Sequence, residues 1–324
     1  MAERLLLALD FGGTKHTAAV LVAGAREWRA HRRAFSPEGA DAESDLETMR
    51  ALARAALARA APSGARPAAL GVSFGGPVDF GTGTVRLSHH VPGWEEVPLR
   101  AILEDEFNAP AAVDNDANVA ALGEHAYGAG RGADHLLYVT VSTGVGGGWI
   151  LNGRPWRGAE GMAGEIGHTV VDPAGPRCLC GKRGCVERLA SGPYMAQDAR
   201  ERLRAGEDEG ALLLQLAGGD PEAINGALLS EAAARGDKVA REILERGAWA
   251  LGVGIGNAAN LINPQRVVLG GGVTKAGDGW WQVVRRTVAE TTLPEVNVEV
   301  VPAGLGDDAP LWGAAVLAES VTSA

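Results

Sequence analysis

His168, Cys178, Cys180 and Cys185 fall within 18 residues, the three cysteines within eight, with glycines between them. One imidazole and three thiolates complete a tetrahedral sphere for structural Zn²⁺ and leave no position open for a catalytic water. Such clustering also argues against a disulfide framework of the kind that staples secreted folds. The plainer alternative is three reduced thiols beside an unrelated histidine.

Two glycine turns could cradle phosphate. Asp10-Phe11-Gly12-Gly13-Thr14-Lys15 places a carboxylate at a strand end before a glycine pair and a hydroxyl. Glycines let the backbone approach a phosphate, Thr14 can donate to it, and Asp10 could hold Mg²⁺ through water. Ser142-Thr143-Gly144-Val145-Gly146-Gly147-Gly148 has the same character, again between apolar runs. Neither is the G-x-x-x-x-G-K-[ST] phosphate loop or the G-x-G-x-x-G dinucleotide fingerprint, and each alone could be an ordinary hairpin turn. Between them lies Asp114-Asn115-Asp116-Ala117-Asn118, at the mouth of a helix. Asx residues there commonly cap the helix, yet one carboxylate can cap while the other faces a cleft. A phosphotransferase needs a carboxylate within hydrogen-bond reach of the acceptor hydroxyl.

The elements that must position these groups alternate between strand and helix. Residues 4–10 and 17–22 read as a hairpin, residues 41–60 as a helix and residues 68–74 as a buried strand. Residues 111–113 read as a strand running into a helix at 117–127. Residues 135–142 and 146–151 form a second hairpin around Gly144 that echoes the first, which suggests an internal duplication. Beyond about residue 190 the chain is mostly helical, with Val239, Ile243, Leu251, Ile255, Ala259 and Ile262 on one stripe. A short strand at 266–269 ends in Gly270-Gly271-Gly272, and a last helix covers 310–319. His89, His90 and Trp94 read as loop residues or pocket lining, and Trp280-Trp281 as a helix packed on the core.

At 324 residues, 46% hydrophobic and 22% charged, the chain has the composition of a folded globular protein with room for two domains. A net charge of −10 disfavours nucleic acid as a partner but not a compact anion held by backbone amides and Mg²⁺. No apolar run approaches a membrane span, so a cytoplasmic location is expected.

The ordered set resembles the ROK family (repressor, open reading frame, kinase), and within it the bacterial glucokinases. The resemblance rests on residues 10–15, residues 71–79 with Gly76-Pro77, Asn115-Asp116-Ala117-Asn118, residues 143–148, Glu165-Ile166-Gly167-His168, the cysteine cluster with Glu187, and residues 268–273. It implies the α/β, two-domain, actin-like (ribonuclease H-like) ATPase fold. The domains are expected as residues 1–114 with 310–324, and residues 115–309 carrying the zinc site. It further implies an ATP-dependent hexose kinase in which Asp116 takes the proton of the sugar 6-hydroxyl. Gly76, Asn115, Asp116, Glu165, His168 and Glu187 would contact the sugar. Asp10, Gly12, Gly13, Thr14, Lys15, Thr143, Gly144, Gly146, Gly270, Gly271 and Gly272 would hold Mg²⁺·ATP. His168 would serve zinc with one ring nitrogen and a sugar hydroxyl with the other, and a homodimer is the expected assembly.

This chain reads Ser88-His89-His90-Val91-Pro92-Gly93-Trp94 where many family glucokinases have an asparagine before Pro-Gly-Trp. N-acetylmannosamine, fructose, mannose or allose therefore stay open as acceptors, and polyphosphate as donor. The reading from another class is a non-catalytic sugar-sensing regulator. Repressors of the family carry an N-terminal helix-turn-helix, which is not expected here because the first hairpin begins at Arg4.

Overall fold

The computed structural model describes residues 3–322 except Thr14, Glu38, Pro62, Ser63, Ala65, His89, His90 and Glu207, and only the backbone of Asp208. The chain opens with strands β1 (Leu5–Phe11), β2 (Lys15–Val22) and β3 (Ala30–Phe35), then helix α1 (Ala42–Ala60) and strand β4 (Ala69–Phe74). Short strands β5 (Val78–Asp79) and β6 (Thr84–Val85) precede α2 (Leu99–Phe107), β7 (Ala111–Asn115) and α3 (Asp116–Ala126). Next come β8 (Leu136–Val141), β9 (Val145–Leu151) and β10 (Arg154–Trp156), and four helices: α4 (Val186–Ala190), α5 (Gly192–Arg204), α6 (Ala211–Leu216) and α7 (Gly226–Ala234). The long α8 (Lys238–Ile262), β11 (Arg266–Gly270), α9 (Asp278–Thr291), β12 (Glu299–Pro302) and α10 (Ala309–Thr322) complete it. No described helix is long and apolar enough to cross a membrane.

Two compact units divide the chain: residues 1–134, 148–163 and 303–324, and residues 135–147 with 164–302. The sequence expectation placed the division at residue 114. In the structure α3 stays with the first unit because its small residues pack on α10, also of that unit.

In the first unit the sheet order is β3-β2-β1-β4-β7, antiparallel through β1 and parallel beyond it. β1 is buried at all seven residues, as befits a central strand covered on both faces. Helix α1 starts in a capping box, Asp41 accepting from Ser44 N while Ser44 Oγ accepts from Asp41 N. Helix α10 lies close to α3 and β4 because glycine faces backbone at both contacts. A Cβ on Gly313 would overlap the carbonyl oxygen of Val119, and one on Gly71 would overlap that of Ala314. The far end of α3 is tied down by Glu124, fully buried, which accepts from the amides of Ala129 (2.7 Å), Gly304 (3.0 Å) and Leu305 (2.8 Å).

In the second unit β8, β11 and β12 run parallel, and β8 is followed by its hairpin partner β9. A hairpin followed by two parallel strands repeats the β2-β1-β4-β7 arrangement, as the echo between the glycine turns suggests. Helix α8 is capped by Asp237, which accepts from Ala240 N, and it ends at Asn263 in the left-handed region (φ 54°). Its stripe is buried as expected except Ile262, 38% exposed at the last residue of the helix. Trp280 is buried in α9. Trp94, in contrast to the pocket-lining alternative, is 1% exposed, packed edge-on against Phe11 and Phe74 and donating from Nε1 to Asp45 (3.3 Å). His89 and His90 lie outside the described residues.

The Gly313 contact sets two known effects against each other. Alanine should gain up to about 1 kcal/mol of helix propensity, but forcing a methyl against an immovable backbone carbonyl costs about 1–3 kcal/mol. Gly313→Ala should therefore lower the urea midpoint, and an unchanged or raised midpoint would contradict this packing.

Candidate functional site

In the first unit, the first glycine turn, residues 75–76 and the start of α3 converge. The turn closes by a bond from Gly12 N to Lys15 O (3.1 Å), and Gly75 N bonds Phe11 O (2.9 Å). A Cβ on Gly75 would stand 3.8 Å from Gly13 N and 4.0 Å from Asp116 Oδ2, so the Gly13 amide and the Asp116 carboxylate share one neighbourhood. Thr14 lies outside the described residues. Lys15 Nζ is 3.4 Å from Asp307, an exposed and weak pairing.

The N-cap of α3 is the amide of Asn115, not a carboxylate. Its Oδ1 accepts from Ala117 N (3.0 Å) and Asn118 N (3.4 Å). Its Nδ2 donates to Gly76 O (3.1 Å) and to Asp116 Oδ1 (3.0 Å). Asp116 Oδ1 also accepts from Ala117 N (2.8 Å), which fixes the carboxylate plane. Gly148 approaches the same corner, where a Cβ would overlap Ala117 O. Asp114 is buried; Oδ1 accepts from Asn115 N (2.8 Å) and Asn118 Nδ2 (3.2 Å), and Oδ2 from Arg157 Nε (2.7 Å). Burial holds the Asp114 carboxyl above its ordinary range, with Arg157 opposing.

Asp10, 7% exposed, is the penultimate residue of β1, beside Ser73 of β4. Burial pushes its carboxyl up to about 6, against the opposing influence of Ser73 and then Lys15.

In the second unit, the other glycine turn lies against Gly270-Gly271-Gly272. Gly271 adopts φ 91° where a Cβ would overlap Val141 O, and Gly272 faces Ser142 Oγ. These residues border a cleft of about 640 Å³ that is also lined by Met195, Ile224, Asn225 and Leu244, with Thr143 and Gly272 on its wall. Asn225 caps α7 by accepting from Ala227 N and Leu228 N, and Gly192 N, at the start of α5, bonds Ser142 O (2.9 Å). The Ile224–Asn225 wall, with Lys275, carries no sequence motif, and only the helical packing brings it to the turn.

Glu187 accepts from Val145 N at Oε2 (3.0 Å), so it buttresses the second glycine turn directly. Gly167 lets the Glu165–His168 turn lie on Val145, whose carbonyl oxygen a Cβ would overlap. Glu165 is exposed at the head of that turn. Gly167, which lies between Glu165 and His168, and Glu187 thus meet at one segment, residues 144–145.

The donor atoms of His168, Cys178, Cys180 and Cys185 all lie within 4.8 Å of one another. Nδ1 of His168 faces Cys178 Sγ at 4.0 Å, and Cys180 and Cys185 sulfurs are 3.5 Å apart. A tetrahedral ion with metal–sulfur bonds of about 2.3 Å requires sulfur separations of about 3.8 Å, so the set fits such an ion. The turn that presents it is closed by Cys178 N to Lys182 O (2.8 Å) and Gly181 N to Cys178 O (3.0 Å), with Gly181 at φ 87°. Lys182 Nζ bonds the His168 carbonyl (2.7 Å), and Tyr194 of α5 accepts from Leu179 N. His168 Nε2 makes no hydrogen bond among the described residues, leaving it available to a ligand.

The architecture is the two-domain, actin-like ATPase fold of sugar-kinase type. Its structure superimposes on the ROK hexokinase of Thermus thermophilus with TM-score 0.83 at 33% identity, covering 98% of this chain and 99% of that one. It superimposes on a ROK-family glucokinase of Streptomyces griseus, solved with glucose and AMPPNP, with TM-score 0.81 at 34% identity, covering 98% and 99%. The ROK family profile matches residues 6–321, and the chain belongs to the ROK family. Glucokinase of Thermotoga maritima is 37% identical over 248 residues, 76% of this chain and 77% of its own.

Asp10 gives this site a measurable stability cost. Its folded pKa of about 6 exceeds the ordinary 3.8, so folding favours the protonated form and the stability it contributes is lost as pH rises from about 4 to about 6. Asp10→Asn should be more stable than the parent by roughly 2–3 kcal/mol above pH 7, the gap closing below pH 4. Equal urea midpoints at pH 8 would contradict a buried, penalised carboxylate.

Proposed function

We propose that this protein is an ATP-dependent hexose kinase, a glucokinase, that phosphorylates the sugar 6-hydroxyl with Asp116 as general base. The observation that carries the reading is the Asp116 carboxylate at the N-terminus of α3, one oxygen pinned by Asn115 Nδ2 and Ala117 N, beside the amides of a glycine turn. Family membership and the named activities of the relatives above support it. In the step, the sugar oxygen attacks the γ-phosphorus, its proton passes to Asp116, and the bond to the β,γ-bridging oxygen breaks to release ADP. An Asp beside a hydroxyl nucleophile raises its electron density only if its geometry is fixed beforehand, and the two bonds to Oδ1 do that.

Gly76, Asn115, Glu165, His168 and Glu187 would bind the sugar hydroxyls. Asp10, Gly12, Gly13, Thr14 and Lys15 would act on the phosphates with Thr143, Gly144, Gly146 and Gly270, Gly271 and Gly272. Mg²⁺ bound with ATP would neutralise phosphate charge, with Asp10 as its ligand through water. The 640 Å³ cleft of the second unit is of a size for the nucleoside. Zn²⁺ on His168, Cys178, Cys180 and Cys185 would fix the turn that carries Glu165 and His168 before sugar arrives.

A coupled ADP-release assay over glucose, mannose, fructose, allose and N-acetylmannosamine tests the reading, and the Ser88–Trp94 departure is the reason the panel is broad. Glucose should give the highest kcat/KM, and no sugar-dependent ADP release would overturn the assignment. Asp116→Asn should lose about 10²–10⁴ in kcat while still binding glucose, since the amide keeps the shape but cannot take a proton. Near-parental kcat in the folded variant would remove Asp116 from its role. Metal analysis should find about one Zn²⁺ per chain, with Cys180→Ser losing the metal and melting lower. A metal-free preparation with unchanged melting temperature would refute the structural ion.

A further inference from the structure

Residue 157 carries no motif, yet its side chain reaches the turn that bears the base. Arg157 follows β10 in a loop that closes on itself, Ala163 N to Arg157 O at 3.0 Å, with Gly158 at φ 73° and Gly161 at φ 79°. Its guanidinium stacks 3.5 Å from the centroid of the Phe80 ring and donates Nε to Asp114 Oδ2 at 2.7 Å. The pair is inside the unit: the side chain of Arg157 is 19% exposed and that of Asp114 2%.

We propose that Arg157 is a positioning residue for phosphoryl transfer: by holding Asp114 ionised and fixed, it sets the Asn115–Asp116 turn in its reactive geometry. The inference rests on the kinase reading above. Asp114 Oδ1 holds the Asn115 amide and the Asn118 side chain. Asn115 in turn holds Asp116 Oδ1. Arg157 therefore acts on Asp116 through two intermediaries and touches neither phosphate nor sugar. Loss of one partner of a buried ion pair leaves an uncompensated charge, which the site relieves by taking up a proton. A protonated Asp114 loses acceptor strength toward Asn115 N and Asn118 Nδ2, and the turn loosens.

The test compares parent, Arg157→Gln, Arg157→Lys and Asp114→Asn in the coupled assay, each as kcat and KM against pH. Charged groups around Asp114 are Arg157, Asp116 in its own turn, and Asp10 two strands away across Ser73. Arg157→Gln should lower kcat about 10- to 100-fold, leave the KM for ATP within about twofold, and acquire a kcat that climbs with pH as Asp114 ionises. Arg157→Lys, which keeps the charge but not the fixed Nε–H direction, should recover the parental pH profile and only part of kcat. Asp114→Asn cannot titrate there and should be slow at every pH. A merely structural Arg157 would lower the melting temperature and leave the kcat pH profile of the folded fraction parental, which overturns the proposal, as does parental kcat in Arg157→Gln. If Arg157→Gln does not fold, Arg157→Lys decides: full kcat overturns it, partial kcat with the parental profile supports it. A parent enzyme that phosphorylates no sugar sinks the kinase reading and this inference together, whereas an active parent with an equally active Arg157→Gln sinks this inference alone.

Discussion

The Asn115 side chain makes four bonds at one corner, and the chemistry proposed for this chain depends on them. Oδ1 accepts from two amides of the first turn of α3, sharing Ala117 N with Asp116 Oδ1, and Nδ2 joins Gly76 to Asp116. A carboxylate as cap would have met the amides equally well but could not donate to Gly76 O or Asp116. The amide is the one short side chain that does both, so capping and positioning are a single requirement. Around this corner the structure spends little on apolar bulk: Gly75, Gly148 and the small residues of α3 admit backbone where side chains would collide. That closeness carries a cost, visible in the buried Asp10 and Asp114 carboxyls, both held above their ordinary range.

The second unit solves a parallel problem by a different device. Its glycine turn is met by the start of α5, Gly192 N on Ser142 O, and is held from the side by Glu187 on Val145 N and by the Glu165–His168 turn lying on Val145. The cysteine-bearing turn anchors that arrangement through Lys182 on His168 O and through Tyr194 on Leu179 N. A metal here would replace a hydrophobic core that a loop of this composition cannot build. Oε2 of Glu187 is committed to the turn, so the sugar contact proposed for this residue would fall to Oε1.

Much of this was legible in the sequence where the residues themselves impose geometry. The hairpins around both glycine turns, the β7–α3 junction and the burial of α8 follow from apolar runs broken by glycine and Asx residues, and the cysteine spacing announces its donor set. What stayed hidden depends on packing. Whether Asn115 or a carboxylate caps α3 turns on who else needs a hydrogen bond at that corner. Trp94 reads as a loop residue or pocket lining beside Pro92-Gly93 but packs edge-on against Phe11 and Phe74. Arg157 and the Ile224–Asn225 wall are separated in sequence from everything they serve. Small-residue packing of α3 on α10, likewise, moved the domain boundary away from the residue where the motif suggested it.

The position of the phosphate on the product reports on Asp116 as proposed base, because a base fixed by the Asn115 corner must select one hydroxyl. Phosphorus–carbon correlation by NMR on glucose turned over with ATP reads it without assumption. A single ester at carbon 6 and one ADP per ester are expected. Phosphate on another carbon, a mixture of positions, or release of inorganic phosphate without ester would contradict that role.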